Sequence, residues 1–188
     1  LAPRLACEER ALFLVASEKA ARAARDFCGV HHAPFQSVHD FIALQIPGAD
    51  EALARAAAFL QHTGCAISSR QAEEALLREG LLFQRQAEET VDENPAAACR
   101  RALAEITGAA ASGDVILNRS GMSAFYATFR AIQQSQSLRG RDQWIQLGWL
   151  YVDTQRILEK FPAPERPLLR ILDAGDLDVA RRSVGRMV

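Results

Sequence analysis

DVILNRSGM, residues 114–122, places a short apolar run directly before a Ser-Gly pair and the start of a helical pattern. Residues 115–117 favour a brief strand, and the letters SAFYATFRAI that follow the turn repeat apolar residues at helical spacing. Ser120 is a suitable N-cap, so the backbone N–H groups of Gly121 and Met122 would face out of a helix N-terminus. Such a terminus favours an anion, which glycine lets approach the main chain. The stretch predicts a phosphate-binding turn, although many such turns carry Ser and Gly for capping alone.

Strands and helices are predicted to alternate along most of the chain. After the turn come a strand at residues 144–147 and the string GWLYVDT, which opens a helix that ends near Lys160. Upstream, the pattern predicts strands at residues 11–16 and 41–46 and helices at residues 18–28, 50–61, 70–78 and from 95 onward. This alternation indicates an α/β fold with a mostly parallel sheet and flanking helices, whose ligand sites lie beyond the carboxyl ends of the strands.

The string ILNRSGMSAFYA, with LYVDT about two dozen residues behind it, resembles the pyridoxal-phosphate (PLP) enzymes of cysteine and methionine metabolism, the cystathionine γ-synthase group. FLQHTGCAISSRQAEEAL (residues 59–76) is similar to the fungal-type branch, and ENPAAACRRALAEITG (residues 93–108) to a helix of the wider family. The resemblance implies an incomplete fold-type-I PLP-transferase. It also implies an N-terminal α/β region at 1–108, the start of the PLP-binding large domain at 109–161, and a discontinuous or C-terminal remnant at 162–188.

The resemblance also implies cofactor-binding roles for particular residues. In that family an SGM turn binds the cofactor phosphate through backbone amides, which assigns this role to Ser120, Gly121 and Met122. A Tyr-Gly-Gly-Thr motif carries a tyrosine that stacks on the pyridine ring. Tyr151 and Thr154 match the two ends of this motif, whereas VD replaces its glycines and puts its backbone geometry in question.

Other parts of the family's site lack a clear counterpart. The family sends a Tyr-x-Arg pair from a neighbouring subunit to the phosphate, and Arg85 and Arg70 are the nearest candidates here. PLP catalysis needs a lysine that holds the cofactor as a Schiff base and a carboxylate at the ring nitrogen. The two lysines, Lys19 and Lys160, stand outside the family's Ser-x-Thr-Lys context, and no aspartate matches the ring-nitrogen position. The catalytic residues therefore stay unassigned, and we expect the 188-residue chain alone to catalyse no turnover.

Two functions follow from the resemblance. The first is a transsulfuration-type enzyme of methionine biosynthesis, in which cysteine displaces the acyl group of an activated homoserine by γ-replacement. This enzyme would bind a small amino-acid substrate and form a homodimer or homotetramer. The alternative is a non-catalytic scaffold or dimerisation domain derived from the same family. We expect the chain to be part of a longer protein, since it begins without Met and its Pro-rich junction at 161–167 interrupts the family's order of elements.

Composition excludes several other classes. A formal net charge of −1 and the lack of a basic stripe argue against nucleic-acid binding. Neither GxGxxG nor a P-loop occurs, and no stretch approaches the ~20 apolar residues of a membrane span. No metal site is predicted, because the four histidines offer no i, i+4 pair and the four cysteines no CxxC pair. These observations predict a cytoplasmic protein.

Overall fold

A computed structural model describes residues 10–88, 92–109, 111–162, 165–173, 178 and 181–182. The elements of these residues are, in chain order, β1 (Arg10–Val15), α1 (Glu18–Cys28), β2 (Phe35–Val38), β3 (Phe41–Pro47), α2 (Asp50–Thr63), α3 (Ser69–Arg78), α4 (Pro95–Thr107), a 3-10 turn (Ser112–Asp114), α5 (Gly121–Ser137), β4 (Ile145–Leu147), α6 (Val152–Lys160) and β5 (Leu169–Ile171). The fold is therefore α/β, with helices and small sheets.

The chain divides into two compact units. The first contains the described residues up to Leu60 together with Cys65–Arg119, and the second contains Gln61–Gly64 together with the described residues from Ser120 onward. The last turn of α2 thus belongs to the second unit. The domain boundaries that the sequence suggested, after residues 108 and 161, stay predictions.

In the first unit, β1, β3 and β2 form an antiparallel sheet in that order. The prediction of a mostly parallel sheet is wrong for these strands. The sequence pattern missed β2, which pairs Val38 with Phe41 across a two-residue turn where His39 has a φ of 51°. Such tight turns require a positive φ and reverse the chain at once, so the strands they join are antiparallel. Val15 and Ile42 form the core of this unit with Ala21 of α1.

The second unit has its core between two helices. Phe129 of α5 is buried with Ile157 and Leu158 of α6, and the Phe129 ring centroid lies 4.7 Å from that of Trp144. Strands β4 and β5 pair in parallel, so the predicted parallel arrangement is found here, though only as two strands. The partly buried rings of Tyr126 and Trp144 pack against this core.

The strand predicted at residues 115–117 is wrong. The 3-10 turn ends at Asp114, whose carboxylate accepts a hydrogen bond from the Ala111 amide at 3.2 Å. Beyond it the chain continues without strand pairing in the described residues, and the Ile116 side chain is 84% exposed. Three apolar residues form a strand only when another strand lies beside them, and none of the described strands does.

Most helix boundaries agree with the sequence. Ser17 and Gly29 cap α1, Asn94 caps α4 with Pro95 in its first turn, and Ser120 caps α5 as predicted. The cap of α3 is Ser68, and the helix begins at Ser69, one residue before the predicted start. Within the described ranges, no helix combines the length and apolar composition that a membrane crossing requires.

The core of the second unit yields a stability prediction. Phe129→Ala removes a ring that is 1% exposed, so we expect the free energy of unfolding to fall by about 3–5 kcal/mol. Both tryptophans, Trp144 and Trp149, belong to this unit, so tryptophan fluorescence in urea reports its unfolding. The control Leu138→Ala follows α5 at a position that is 86% exposed and should change stability by less than about 0.5 kcal/mol. Equal losses in the two variants would contradict the core described above.

Candidate functional site

The Ser-Gly-Met turn begins α5 with a reciprocal cap. The Ser120 hydroxyl oxygen accepts from the Ser123 amide at 3.1 Å, while the Ser123 hydroxyl oxygen accepts from the Ser120 amide at 3.0 Å. This arrangement satisfies two amides that the helix cannot pair internally. The amides of Gly121 and Met122 have no hydrogen-bond partner among the residues that the structure describes. Two N–H donors therefore remain available at the positive end of a 17-residue helix dipole.

The space outside these donors is open. A Cβ added to Gly121 would meet no atom within 4 Å, so an anion can come close to the main chain there. Met122 differs from its neighbour, since its side chain packs against the core formed by Phe129 and α6. The methionine thus anchors the first turn of α5 through its side chain while its amide stays available. The geometry fits a phosphate group on backbone donors, as the resemblance implies.

A second segment, Gln61–Gly64 (QHTG), contacts this turn directly. Gly64 has a φ of +59°, and a Cβ built on it would lie 2.6 Å from Ser120 Oγ and 2.9 Å from Ser123 N. Both values are shorter than any ordinary carbon contact, so only glycine lets the end of α2 approach the cap of α5 this closely. The resemblance singled out QHTG without giving it a role. The structure shows that it forms one wall of the Ser-Gly-Met turn.

The LYVDT motif forms the turn between β4 and α6. Gly148, at a φ of +69°, donates its amide to Ile171 O at 2.8 Å, and its carbonyl accepts from the buried side-chain amide of Gln146 at 2.9 Å. The turn is therefore fixed on both sides before it reaches Tyr151, the N-cap of α6. The Tyr151 side chain is 67% exposed, which leaves its ring accessible to a flat ligand.

The two tryptophans differ in burial. Trp144 packs against Phe129, whereas Trp149 is 81% exposed. Trp149 directly follows Gly148 in the turn, and a residue in such a turn has few neighbours to cover it. An exposed tryptophan and an exposed tyrosine therefore lie on one short turn at the carboxyl end of β4.

The residues that replace the family's two glycines contribute in different ways. Val152 begins α6 and is exposed, and Thr154 is half-buried in its first turn. Asp153 accepts a hydrogen bond from the Gln61 side-chain amide at 3.1 Å. Gln61–Gly64 therefore contacts both motifs, α5 through Gly64 and α6 through Gln61.

His62 lies buried in the same segment. Its Nε2 lies 3.0 Å from Lys160 Nζ, which donates to it, and its Nδ1 lies 3.6 Å from Asp153 Oδ1. Burial, with smaller contributions from the Lys160 and Arg156 charges, holds the pKa of His62 below its usual value against the opposing effect of Asp153. The imidazole is thus unprotonated near neutral pH. His62 stands in the last turn of α2, and its side chain faces α6, so that only 3% of the residue is exposed.

Arg70 and Arg85 lie in the first unit and are engaged with carboxylates. Arg70 contacts Glu73 at 3.1 Å and also pairs with Glu88, while Arg85 pairs with Glu74. All of these pairs are solvent-accessible, and such pairs are weak enough to exchange partners. Their assignment to a cofactor phosphate stays a prediction.

Sequence reasoning missed two contributions to the site. The first is Gly64, which follows α2 in the left-handed conformation. Its residue type indicated the end of the helix, since glycine commonly follows the last helical residue. Nothing local, however, indicated its contact with Ser120, which is 56 positions away in the sequence. Gln146 gave no signal, because a single glutamine in a short strand is usually solvent-facing, whereas here it is 2% exposed.

The close approach at Gly64 predicts that alanine destabilises the second unit more at this position than at another left-handed glycine. Gly64→Ala should lower the free energy of unfolding of the second unit by about 2–4 kcal/mol, from left-handed strain plus overlap with Ser120. Gly140→Ala is the matched control, because Gly140 also has a left-handed φ (+70°) but open surroundings, and should cost about 1 kcal/mol. Urea unfolding followed by tryptophan fluorescence measures both values, and equal costs would refute the contact.

Comparison with known proteins identifies one similar enzyme. No protein-family model matches the sequence, and no solved structure matches it. Over 149 residues the chain is 42% identical to the L-2-amino-4-chloropent-4-enoate dechlorinase/desaturase of Streptantibioticus cattleyicolor. The match covers 79% of this chain and 30% of that enzyme, so the chain spans less than a third of its relative's length. A stretch that long in a 188-residue chain necessarily includes both Gln61–Gly64 and Ser120–Met122.

Proposed function

We propose that the chain carries the phosphate-binding part of a PLP-dependent enzyme of fold type I, similar to cystathionine γ-synthase. The enzyme acts on an α-amino acid that bears a leaving group on its γ carbon. One observation carries this proposal: the segments QHTG and SGM, which the fold brings into contact, both lie within the stretch that is 42% identical to an amino-acid dechlorinase/desaturase. The aligned stretch therefore includes the Ser-Gly-Met turn and the segment Gln61–Gly64 that contacts it.

The relative's substrate supports the choice of the γ carbon. Its name places chlorine on C4 of a 2-amino acid, which is the γ carbon, and loss of chloride breaks a bond there. The γ-replacement that the resemblance implies also expels a group from the γ carbon. The proposed γ-replacement removes protons close to the amino group and needs somewhere to hold the resulting electron pair. PLP, when bound, supplies that electron sink.

The residues of the turn would bind the phosphate end of PLP. The amides of Gly121 and Met122 donate to phosphate oxygens, and the helix dipole favours the negative charge. Ser120 holds both amides in place through the cap of α5. Arg85 and Arg70 of a neighbouring subunit are the proposed cationic partners, and they would exchange their present carboxylates for the phosphate.

Tyr151 would cover the ring of the cofactor, with Thr154 one helical turn behind it. An exposed aromatic ring on a fixed turn can stack without a large loss of side-chain entropy. Such stacking is typically worth about 0.5–1.5 kcal/mol beyond the area buried. Trp149, on the same turn, is the other ring that could take this role, which an experiment can decide.

Within this class we propose transsulfuration, in which cysteine replaces the acyl group of an activated homoserine. The reaction would belong to methionine biosynthesis. The enzyme would be a cytoplasmic homodimer or homotetramer. Elimination from a γ-halogenated amino acid is the other member of the class and corresponds to the relative's name. Release of the leaving group with and without added cysteine separates the two. Replacement requires the thiol, whereas elimination proceeds without it.

A non-catalytic scaffold is the second candidate function. The engagement of Lys160 with His62 and the position of Lys19 on the exposed face of α1 favour it, since these are the only lysines in the sequence. The absorbance spectrum of the complete gene product decides between the candidates. Visible absorption that borohydride abolishes supports the enzyme, and a colourless protein that takes up no added PLP overturns it.

Gly121→Val tests the turn. A Cβ at this position meets no atom within 4 Å, so we expect the variant to fold, while its branched side chain occupies the path of the phosphate. We expect the Kd for PLP in the complete polypeptide to rise at least tenfold, which corresponds to about 1.4 kcal/mol. Gly113→Val is the control, because its surroundings are equally open but lie outside the turn. Unchanged affinity in Gly121→Val would refute the phosphate assignment.

Tyr151→Ala and Tyr151→Phe test the stacking role. Alanine removes the ring and should raise the Kd for PLP about 3- to 10-fold, whereas phenylalanine keeps the ring and should leave the Kd nearly unchanged. Trp149→Ala, on the same turn, should have little effect. If Trp149→Ala weakens binding and Tyr151→Ala does not, then Trp149 is the stacking residue.

A further inference from the structure

We propose that His62 is a positioning residue: with Lys160 and Asp153 it forms a clasp that fixes the end of α2 on α6. The clasp thereby sets the spacing between the Ser-Gly-Met turn and Tyr151. Its relevance to PLP rests on the proposed function, whereas the clasp itself is testable without a cofactor.

The clasp consists of three contacts between the last turn of α2 and one face of α6. Lys160 Nζ donates to His62 Nε2 at 3.0 Å, and His62 Nδ1 lies 3.6 Å from Asp153 Oδ1. Gln61 donates to the same Asp153 oxygen at 3.1 Å. Lys160 ends α6 and Asp153 begins it, so one imidazole contacts both ends of the helix. A nine-residue helix held at both ends cannot slide along its axis.

The clasp links the two motifs over a short distance. Gly64 contacts Ser120 of the turn, and Gln61, three residues earlier, contacts Asp153, two residues after Tyr151. Three peptide units span at most about 11 Å, and less where the chain is helical. The turn and the start of α6 therefore hold the same four-residue segment. Any shift of that segment relative to α6 changes the separation of the two motifs.

The protonation state of the imidazole determines whether the clasp holds. Nε2 can accept from Lys160 only when it carries no proton, and the other nitrogen then bears the hydrogen that faces Asp153. Protonation would place an imidazolium 3.0 Å from an ammonium group. The charged groups that act on His62 are Lys160, Arg156 and Asp153, all on α6, and two of the three are cationic. We therefore expect acid to open the clasp.

The direction of the pH effect follows from the lowered pKa of His62. The unfolded chain takes up a proton near pH 6.5, while the folded chain resists it until a lower pH. The stabilisation is fully present above about pH 6.5 and is lost as the pH falls from there through the folded-state pKa. No corresponding loss is expected on the alkaline side.

The experiment compares three variants of the complete polypeptide. His62→Gln keeps a donor and an acceptor but cannot titrate, His62→Phe keeps the volume and removes both, and His31→Gln is the control at an exposed histidine. We measure the Kd for PLP from pH 5 to 8. The phosphate of PLP titrates near pH 6, but this effect is common to all variants, so differences between them isolate His62.

As the pH falls from 6.5 to 5, the Kd for PLP should rise in wild type and in His31→Gln. We expect this rise to be at least threefold larger than the rise in His62→Gln. His62→Phe should bind PLP at least tenfold more weakly than wild type at pH 7.5, and His62→Gln should remain within threefold. If His62 had a purely structural role, replacing it would weaken PLP binding, but the loss of affinity below pH 6.5 would remain. If His62→Gln keeps the whole of this loss, or His62→Phe binds like wild type, the proposal is overturned.

Unfolding followed by tryptophan fluorescence separates this proposal from the proposed function. If wild type binds no PLP at any pH, the proposed function fails, and the clasp is judged by stability alone. It is supported if wild type and His31→Gln lose stability below pH 6.5 and His62→Gln does not. It is overturned if all three proteins show the same acid dependence.

Discussion

The arrangement of the candidate site depends on the contact of a glycine backbone with a helix cap. Gly64 approaches Ser120 and Ser123 so closely that a single methyl group would overlap them. In the cap, two side-chain oxygens accept from the amides of Ser120 and Ser123. The amides of Gly121 and Met122, which lie between them, stay available. Packing that admits no side chain on one partner is stiff, because the glycine cannot move closer and any movement away forfeits the contact. The two available amides are therefore held in a nearly fixed position.

The LYVDT motif has a defined structure although it lacks the two glycines of the Tyr-Gly-Gly-Thr motif that it resembles. Two consecutive glycines would leave the start of α6 with wide backbone freedom. Here Val152 and Asp153 occupy those positions in regular helical conformation, and the aspartate lies in the first turn, where the dipole favours its charge. Asp153 also binds Gln61 and faces His62. A side-chain anchor thus takes the place of backbone flexibility, and it joins this motif to the segment that contacts the other.

What the sequence could predict was set by the range of the interactions involved. The caps at Ser17, Asn94 and Ser120 are hydrogen bonds over three residues, so the residue types alone indicate them. The burial of His62 and the exposure of Trp149 depend instead on whether a distant element covers the side chain. The failure at residues 115–117 has the same origin, because a strand requires a partner that local pattern does not reveal. The cap of the Ser-Gly-Met turn was predictable since it is local, while the contact of the turn with Gly64 was not.

Lys160 illustrates how geometry decides the role of a residue that chemistry alone leaves open. A lysine that binds PLP covalently needs an amine free to attack and to be released again. The amine of Lys160 instead donates to a buried imidazole, and moving it away would leave that nitrogen buried without its hydrogen bond. Such an uncompensated buried polar atom typically costs about 1–3 kcal/mol. The contact therefore favours a structural role for Lys160. Since Lys19 lies on the exposed face of α1 in the first unit, the proposed chemistry requires a lysine other than these two.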